Sequence, residues 1–400
     1  MRLPKRFCLH AALPVGLLAQ LVAIAGCQRA PQSSGPGPLK VGAVIALTGS
    51  ASLIGQDQRL GLELAQQAFK GGDPAVSLLL EDSGSDEQIA TTAMRRLLSE
   101  RVVAVIGPSL SQQAFAIDPI ADRAGVPVLG PSNTAVGIPE IGPFVARVSA
   151  PVTQVAPLSI RAARRLNPKL RRVAVFFAQD DAYSTSETKI FQQAIRAEGL
   201  QLVTVQRTST ADVDFHKPVA DTLQTRPDLI VISALPNDGG NLVRQIREIG
   251  FKGLIVAGNG LNSPNIYSVC QRYCDGLLIA QAYSPETTTP INRRLLALYR
   301  KRQGNAVPPQ FAAQAFTAYQ VLHEALQTLQ RRQPKGQPLG ALSLQELRRR
   351  LNATMLGGTY QTPLGELRFS PEGEVIQKNF YVAQVTMAAD GRNGRFQLLP

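Results

Sequence analysis

The sequence has little of what most enzymes use for catalysis. It contains no tryptophan and only three histidines among 400 residues, and two of these, His216 and His323, lie beyond the N-terminal segment. It has no G-x-S-x-G elbow, no P-loop and no H-E-x-x-H helix, and Gly258-Asn259-Gly260 lacks the third glycine of a dinucleotide fingerprint. We therefore expect a protein that is not an enzyme and has neither a metal site nor a cofactor.

Long apolar runs are also missing, except for one near the N-terminus. Residues 11–25 carry no charge and follow Arg2, Lys5 and Arg6. This run is too short for a comfortable transmembrane helix, and its flanks are typical of a secretory signal. We expect residues 1–26 to be a signal peptide.

Ile24-Ala25-Gly26-Cys27 resembles the bacterial lipobox, in which the cysteine thiol receives a diacylglycerol and the chain is cut before it. An ordinary signal peptide with an incidental cysteine is the alternative. Residues 27–38 are rich in Pro, Gly and Ser, which predicts a flexible tether. The protein should thus be lipid-anchored at Cys27 in the cell envelope, facing the periplasm or another extracytoplasmic space.

Cysteine is scarce, with four residues in the chain. Cys8 leaves with the signal and Cys27 takes the lipid, so Cys270 and Cys274 remain in an oxidising compartment. Residues four apart can share a helix face, and the pair forms either a local disulfide or two free thiols.

The net charge is +13, and the signal peptide holds three of the positive charges. Export and the absence of interleaved aromatic and basic motifs argue against a nucleic-acid partner. The basic residues come in short groups near the ends of helical patterns, where they complement the helix dipole. We expect solvated faces, with attraction to anionic lipid or an acidic partner as the alternative.

From Lys40 onward, short apolar runs alternate with amphipathic helical patterns. Continuous Val, Leu and Ile runs are typical of strands covered on both faces, and strict alternation implies parallel sheets. The predicted strands divide into two doubly wound sheets: Val41–Leu47, Val76–Leu80, Val102–Ile106, Val126–Leu129, Val173–Phe177, Leu200–Val205, Leu229–Ser233, Leu254–Ala257 and Leu277–Ala280. Mostly helices follow residue 290, before a terminal β region at Gly365–Phe369 and Asn379–Val385.

Polar loops follow several of these strands, at the edge where open α/β sheets bind ligands. They include residues 107–111 (GPSLS), 130–134 (GPSNT) and 178–183 (AQDDAY). Ser111 is placed to cap the next helix, whose free N–H groups can bind an anion such as a carboxylate. Each loop alone could be an ordinary cap or turn, but two hydroxyl-rich loops on adjacent strands indicate a site.

Six segments carry a family resemblance. They are KVGAVIALTGSASLIGQDQRLGLELA, VVAVIGPSLSQQA, GVPVLGPSNT, NLVRQIREIGFKGLIVAGNG, PPQFAAQAFTAYQVLHEAL and TPLGELRFSPEGEVIQKNFYVAQV. In this order, behind a lipobox, the chain from about residue 39 to 385 resembles the type I periplasmic binding proteins of the branched-chain amino-acid-binding group.

The resemblance implies a role for particular residues. Ser111 would grip the ligand carboxylate, with Ser132, Asn133 and Thr134 in the supporting loop, and Tyr183 would face the ligand from the second lobe. Two positions depart from the family pattern: Ile54 replaces an aromatic that covers the ligand, and Asn259 replaces the acid that pairs with the ligand ammonium. Either another acid replaces it (Asp180, Asp181 or Asp238), or the ligand has no ammonium.

The resemblance also implies two Rossmann-like lobes joined by three hinge crossovers, near residues 152, 282 and 358. Lobe 1 would comprise residues 39–152 and 283–357, and lobe 2 would comprise residues 153–282 and 358–400. A small amino acid, branched-chain-like, or a related carboxylate or amide would bind between them and be delivered to an ABC-type permease and ATPase.

Three other functions are open to a chain of this kind. The same body could be the ligand-sensing subunit of a signalling system, or an envelope scaffold that no longer binds a ligand. An enzyme that hydrolyses small amides or esters is the third. Ser186 to Lys189 fits S-x-x-K, but the partner motifs of penicillin-recognising enzymes are absent.

Overall fold

A parallel sheet of five strands forms the centre of the first lobe. The computed structural model describes residues 37–400, so the signal peptide, Cys27 and the tether up to residue 36 lie outside the described residues. The strands are β1 (Leu39–Ile45), β2 (Val76–Asp82), β3 (Ala104–Ile106), β4 (Val128–Gly130) and β5 (Val145–Arg147). Their order is β2-β1-β3-β4-β5, and each neighbouring pair is parallel. β3 and β4 are buried along their whole length, as their apolar sequences predict.

A larger sheet forms the centre of the second lobe. Its strands are β6 (Arg172–Ala178), β7 (Gln201–Thr208), β8 (Leu229–Ser233), β9 (Leu254–Ala257), β10 (Leu278–Gln281), β14 (Tyr381–Met387) and β15 (Gly394–Leu398). Their order is β15-β14-β10-β9-β8-β6-β7. β6 to β10 are parallel to their neighbours, whereas β14 and β15 are antiparallel additions at one edge. The α/β fold class with parallel-sheet cores is therefore confirmed.

Helices lie against both faces of each sheet. They are α1 (Ser52–Ala68), α2 (Glu87–Ser99), α3 (Ser111–Arg123), α4 (Val152–Leu166), α5 (Ala182–Ala197), α6 (His216–Gln224), α7 (Pro236–Glu248), α8 (Tyr267–Cys270), α9 (Pro290–Gln303), α10 (Gln310–Arg331) and α11 (Leu344–Leu356). In lobe 1, α1 and α10 share one apolar core with the sheet, and α2 and α3 share another. In lobe 2, α6 and α7 cover one face and α4 and α5 the other.

Helix α10 is buried along most of its length because its small residues let neighbouring backbones come close. Where α1 crosses it, a Cβ atom added to Gly61 would lie 2.1 Å from the carbonyl oxygen of Ala312. Only glycine allows this approach. The contact fixes α1, and with it the loop that precedes α1, against the lobe 1 core.

The chain passes between the lobes three times. The first two crossings lie between β5 and α4 and between β10 and α9, close to the predicted residues 152 and 282. The third lies after Ile376, so the prediction of residue 358 is too early. A separate antiparallel sheet, β11 (Tyr360–Thr362), β12 (Gly365–Phe369) and β13 (Val375–Ile376), precedes it. Leu367 and Phe369 of this sheet pack into the lobe 1 core, which assigns residues 360–376 to lobe 1.

Cys270 and Cys274 form a disulfide, with Cα atoms 5.4 Å apart, within the buried core of lobe 2. Within residues 37–400, no helix is both long and apolar enough to cross a membrane. The same part of the chain has no cluster of three or more metal-ligating side chains.

Candidate ligand-binding site

The carboxyl ends of both sheets face one cavity between the lobes. The cavity and the solvent space at its mouth together hold about 260 Å³ that is not occupied by protein atoms. Its lining residues are Ile54, Ser109, Leu110, Ser111, Ser132, Thr134 and Phe311 from lobe 1, and Tyr183, Leu235, Asn259 and Gly260 from lobe 2. Every residue singled out for the site from the sequence is in this set except Asn133, so segments far apart in the chain meet here.

The lobe 1 wall presents hydroxyl groups at the start of a helix. Ser111 is the first residue of α3 and Leu110 occupies the N-cap position, so Ser111 does not cap the helix as the sequence suggested. Its Oγ instead accepts hydrogen bonds from the N–H groups of Thr134 and Ala135, each at 3.2 Å. The hydroxyl proton stays available for a ligand. The first N–H groups of α3 have no partner within the helix and favour a negative charge.

Among the residues that the structure describes, the buried hydroxyl of Thr134 lacks a hydrogen-bond partner, which indicates a place for a polar ligand atom. Its side chain is buried, and within residues 37–400 its Oγ1 makes no hydrogen bond. A buried hydroxyl without a partner costs about 1–3 kcal/mol. Because Thr134 lines the cavity, a ligand oxygen there would remove this cost.

A network that the sequence did not reveal holds these loops together. Gln58 of α1 is fully buried and donates from Nε2 to Ser132 Oγ at 2.7 Å. Ser132 Oγ in turn donates to the carbonyl of Ser109 at 2.6 Å, and Ser109 Oγ donates to Gln58 Oε1. The Ser132 hydroxyl therefore both accepts and donates within the protein, and Ser132 mainly supports the loop. A glutamine on the apolar face of α1 was the available signal.

Asn133 was expected in the site but lies behind it. Its Nδ2 donates to the carbonyl of Pro108 at 3.0 Å, and its own carbonyl accepts from Arg147 Nη1 at 3.0 Å. Arg147 also donates to the carbonyl of Ala135 and forms an ion pair with Glu374. Asn133 thus fixes the loop from the back, because its backbone turns the side chain away from the cavity.

The lobe 2 wall is built around a buried carboxyl group. Tyr183 OH donates to Glu187 at 2.7 Å and accepts from the N–H of Gly260 at 2.7 Å. The other oxygen of Glu187 accepts from the N–H of Asn259 at 3.0 Å. Burial raises the pKa of Glu187 to about 7, although the hydrogen bonds from Tyr183 and Asn259 partly oppose this. Glu187 thereby positions Tyr183, Asn259 and Gly260, but does not itself line the cavity.

The three acids considered as replacements for the family's ammonium partner have other roles. Asp180 is exposed and accepts hydrogen bonds from Ser209 Oγ and the N–H of Thr210. Asp181 caps α5 by accepting a hydrogen bond from the N–H of Ser184. Asp238 lies in the first turn of α7, where burial raises its pKa to about 8 and so favours the neutral acid. None of these acids lines the cavity. Of the two alternatives, a replacement acid or a ligand without an ammonium, the lining of this cavity favours the second.

Several hydrogen bonds hold the lobes together around the cavity. Asp57 of α1 accepts from Ser263 Oγ at 2.7 Å and from Asn265 Nδ2 at 2.9 Å, both in lobe 2. On the other side, Ser186 Oγ accepts from the N–H of Val136 at 3.0 Å. Ser186, the first residue of the S-x-x-K pattern, thus has a structural partner across the cleft.

Comparison with known proteins agrees with this architecture. The family model described as "Periplasmic binding protein" matches residues 38–392. A Leu/Ile/Val-binding protein homolog 7 of Brucella abortus is 26% identical over 333 residues, covering 78% of this chain and 81% of the relative. The Leu/Ile/Val-binding protein BraC3 of Rhizobium johnstonii is 22% identical over 349 residues, covering 86% and 90%.

Solved structures show the same fold. A leucine binding protein from Thermotoga maritima superposes with a TM-score of 0.79 at 24% identity, covering 90% of this chain and 97% of the other. A solute binding protein from R. palustris in complex with benzoate gives 0.77 at 21% identity, covering 90% and 96%. With two such lobes, a cavity between them and a family match over most of its length, the chain belongs to the periplasmic binding protein family and has the type I fold.

Proposed function

We propose that this protein is the extracytoplasmic receptor of an ABC-type importer and binds a small carboxylate-bearing solute between its lobes. The observation that carries this proposal is the lobe 1 wall. There the start of α3, the hydroxyl of Ser111 and the unpaired Oγ1 of Thr134 face one cavity. Together they provide donors for a carboxylate in a narrow cavity, which favours a small molecule.

The relatives support a solute of this size and class. Those compared are named for leucine, isoleucine and valine, and the neighbours include one solved with isoleucine and one with benzoate. Amino acids and aromatic acids share the carboxylate and an apolar body. The cavity offers Leu110, Leu235, Ile54 and Phe311 for such a body.

The binding test compares one variant with one matched control. A soluble form starting at Gln28 is screened by thermal shift with leucine, isoleucine, valine, 4-methyl-2-oxopentanoate and benzoate. A probe at a hundred times its dissociation constant adds about 2.7 kcal/mol of stability. Thr134→Val replaces the unpaired hydroxyl with a methyl group and should weaken binding about tenfold to a hundredfold without loss of stability.

Thr92→Ala, at an exposed position of α2, is the control and should bind as the wild type does. Ser111→Ala should also weaken binding, with some loss of stability because two N–H groups lose their acceptor. If Thr134→Val and Ser111→Ala both bind every active probe with wild-type affinity, the cavity is not the binding site.

The N-terminal sequence and the family indicate where the receptor works. We propose that residues 1–26 direct export and that a lipid on Cys27 holds the protein beside a permease and its ATPase. Replacement of Cys27 by alanine should release the protein from the membrane fraction. If ligand-loaded protein stimulates the permease ATPase more than unloaded protein does, the receptor serves import, whereas a response only from a sensor kinase would favour signalling.

A further inference from the structure

The surrounding protein fixes which way the side-chain amide of Asn259 is oriented, that is, where its oxygen and its nitrogen lie. Its Oδ1 accepts a hydrogen bond from Gln310 Nε2 at 2.8 Å. Gln310 cannot be turned around, because its Oε1 accepts from the backbone N–H of Ala282 at 2.6 Å. Since a backbone N–H can only donate, the order of donors and acceptors from Ala282 to Asn259 is fixed.

A second contact gives the same answer independently. Asn262 Nδ2 donates to the backbone carbonyl of Ala280 at 3.0 Å and points to Asn259 Oδ1 at 3.4 Å. Two amide nitrogens therefore surround Asn259 Oδ1. Turning the Asn259 amide over would set its NH₂ group against both of them. Within residues 37–400, Asn259 Nδ2 donates no hydrogen bond, which leaves it free to donate to a ligand.

The remaining lining residues provide no negative charge. Apart from hydroxyl and amide groups, they contribute the apolar side chains of Ile54, Leu110, Leu235 and Phe311 and the ring of Tyr183. The acid behind this wall is Glu187, whose two oxygens are occupied by Tyr183 OH and the N–H of Asn259. An ammonium group placed beside Asn259 would meet a donor and lose its water without gaining a partner of opposite charge.

From these contacts we propose that the ligand is a small monocarboxylate with an apolar body that presents an oxygen acceptor, as a 2-oxo or 2-hydroxy acid does, and no ammonium to Asn259. This inference rests on the proposed function, because it assumes that the carboxylate lies at Ser111 and Thr134. The acceptor oxygen fills the free donor on Asn259, and the apolar body lies against Leu235 and Phe311.

The test uses pairs of probes that differ only at the second carbon. Leucine is compared with 4-methyl-2-oxopentanoate, and phenylalanine with phenylpyruvate, by titration calorimetry on the unliganded soluble protein. We expect at least one oxo acid to bind about tenfold to a hundredfold more tightly than its amino acid, the difference expected for one hydrogen bond to a polar or charged group.

Asn259→Asp is the decisive variant. One aspartate oxygen can keep the bond from Gln310, and the other replaces the N–H donor with a negative charge. This variant should lose affinity for the oxo acid about tenfold to a hundredfold and move the preference toward the amino acid. Asn305→Asp makes the same change of charge at an exposed position and should leave the preference unchanged.

The outcomes separate this inference from the proposed function. Tighter binding of leucine or phenylalanine by the wild type, weakened by Thr134→Val, would overturn the inference and leave the receptor function in place. An unchanged preference in Asn259→Asp would also overturn it. If none of the four paired probes binds, the inference is overturned as well. The wider probe panel, tested on the wild type and on Thr134→Val, would then show whether the protein is a receptor.

Discussion

Closure of the cleft should depend on pH through one acid, Asp57. In this structure Asp57 is 7% exposed, and its carboxyl group lies between α1 and two donors of lobe 2, Ser263 and Asn265. Burial raises its pKa from 3.8 to about 7, and the two hydrogen bonds only partly oppose this effect. Because the donors belong to the other lobe, an open form would return the carboxyl group to water and its pKa toward 3.8.

The direction in which ligand affinity changes with pH follows from this difference in the pKa of Asp57. The closed form holds the proton more tightly than the open form, so closure takes up a proton between about pH 4 and pH 7. Closing over the charged carboxylate instead costs up to about 4 kcal/mol more than closing over the neutral acid. If ligand binding requires closure, affinity should be lowest and constant above about pH 8 and rise about tenfold by pH 6.

Other buried acids near the cleft should not add to this effect. Glu187 and Asp181 receive hydrogen bonds from residues of lobe 2, and Asp238 lies in the first turn of a lobe 2 helix. Their raised pKa values come mainly from burial. Opening the cleft breaks both hydrogen bonds of Asp57 but leaves those of Glu187 and Asp181 intact, so we assign the proton uptake on closure to Asp57.

Calorimetric titration at pH 6, 7 and 8, with the probe that stabilises the protein most, tests this prediction. Asp57→Asn is the matched variant, because an amide can accept from Asn265 and donate to Ser263 without a charge. Its affinity should be nearly independent of pH and equal to or above that of the wild type at pH 8. Equal pH profiles for the two proteins, or a wild-type affinity that rises with pH, would refute the assignment to Asp57.

Two further predictions concern stability. Arg147→Ala should lower the free energy of unfolding by about 3–5 kcal/mol in urea titrations, because Glu374 and the backbone carbonyls of Asn133 and Ala135 lose their buried partner. The control is Arg96→Ala, which removes an exposed ion pair and should lower it by less than about 1 kcal/mol. Replacing Cys270 and Cys274 together by alanine should lower the free energy of unfolding by about 2 kcal/mol, the contribution expected from closing a short loop, and should leave ligand affinity unchanged. If a reducing agent destabilises this variant as much as the wild type, the loss does not come from the disulfide.

The sequence was informative about the fold wherever strands are buried on both faces. Leu229–Ser233 and Leu254–Ala257 were predicted with the observed bounds, because a short uninterrupted run of Val, Leu and Ile is typical of a strand covered on both faces. β5 was missed because three residues carry no measurable pattern, and β15 because it lies at a half-buried sheet edge. Helix α4 was missed because Pro157 and a run of arginines hide its apolar face.

The third crossover was misplaced for a related reason. Gly365, Leu367 and Phe369 alternate with the polar residues Glu366 and Arg368, which predicts a strand but does not say which sheet or lobe it joins. That choice depends on tertiary packing, here against the core that includes α10. A pattern of period two specifies which face is buried but not the partner that buries it.

For the site, sequence reasoning located the loops but not all the residues that build it. Ser111, Thr134 and Tyr183 follow strands of parallel sheets, so topology alone brings them to one edge. Gln58, Gln310 and Phe311 come from helices, and no local pattern says that they reach the same cavity. Asn133 shows the converse limit, since neighbours in a loop alternate in direction and only one of two polar residues can face the ligand.

The division of the site between the lobes suggests the order of events in binding. The bonds that hold Ser111, Ser132 and Thr134 are all within lobe 1, and those that hold Tyr183 and Gly260 are within lobe 2, so both walls should persist in an open form. The bond from Gln310 to Asn259 is different, because it joins the two lobes. A carboxylate can therefore bind first to lobe 1, and Asn259, whose amide Asn262 already orients within lobe 2, reaches the ligand and gains the bond from Gln310 only as the lobes close. An amino acid would meet its penalty at that step, so it would occupy the open form weakly without closing it, and discrimination would act on closure rather than on the first encounter.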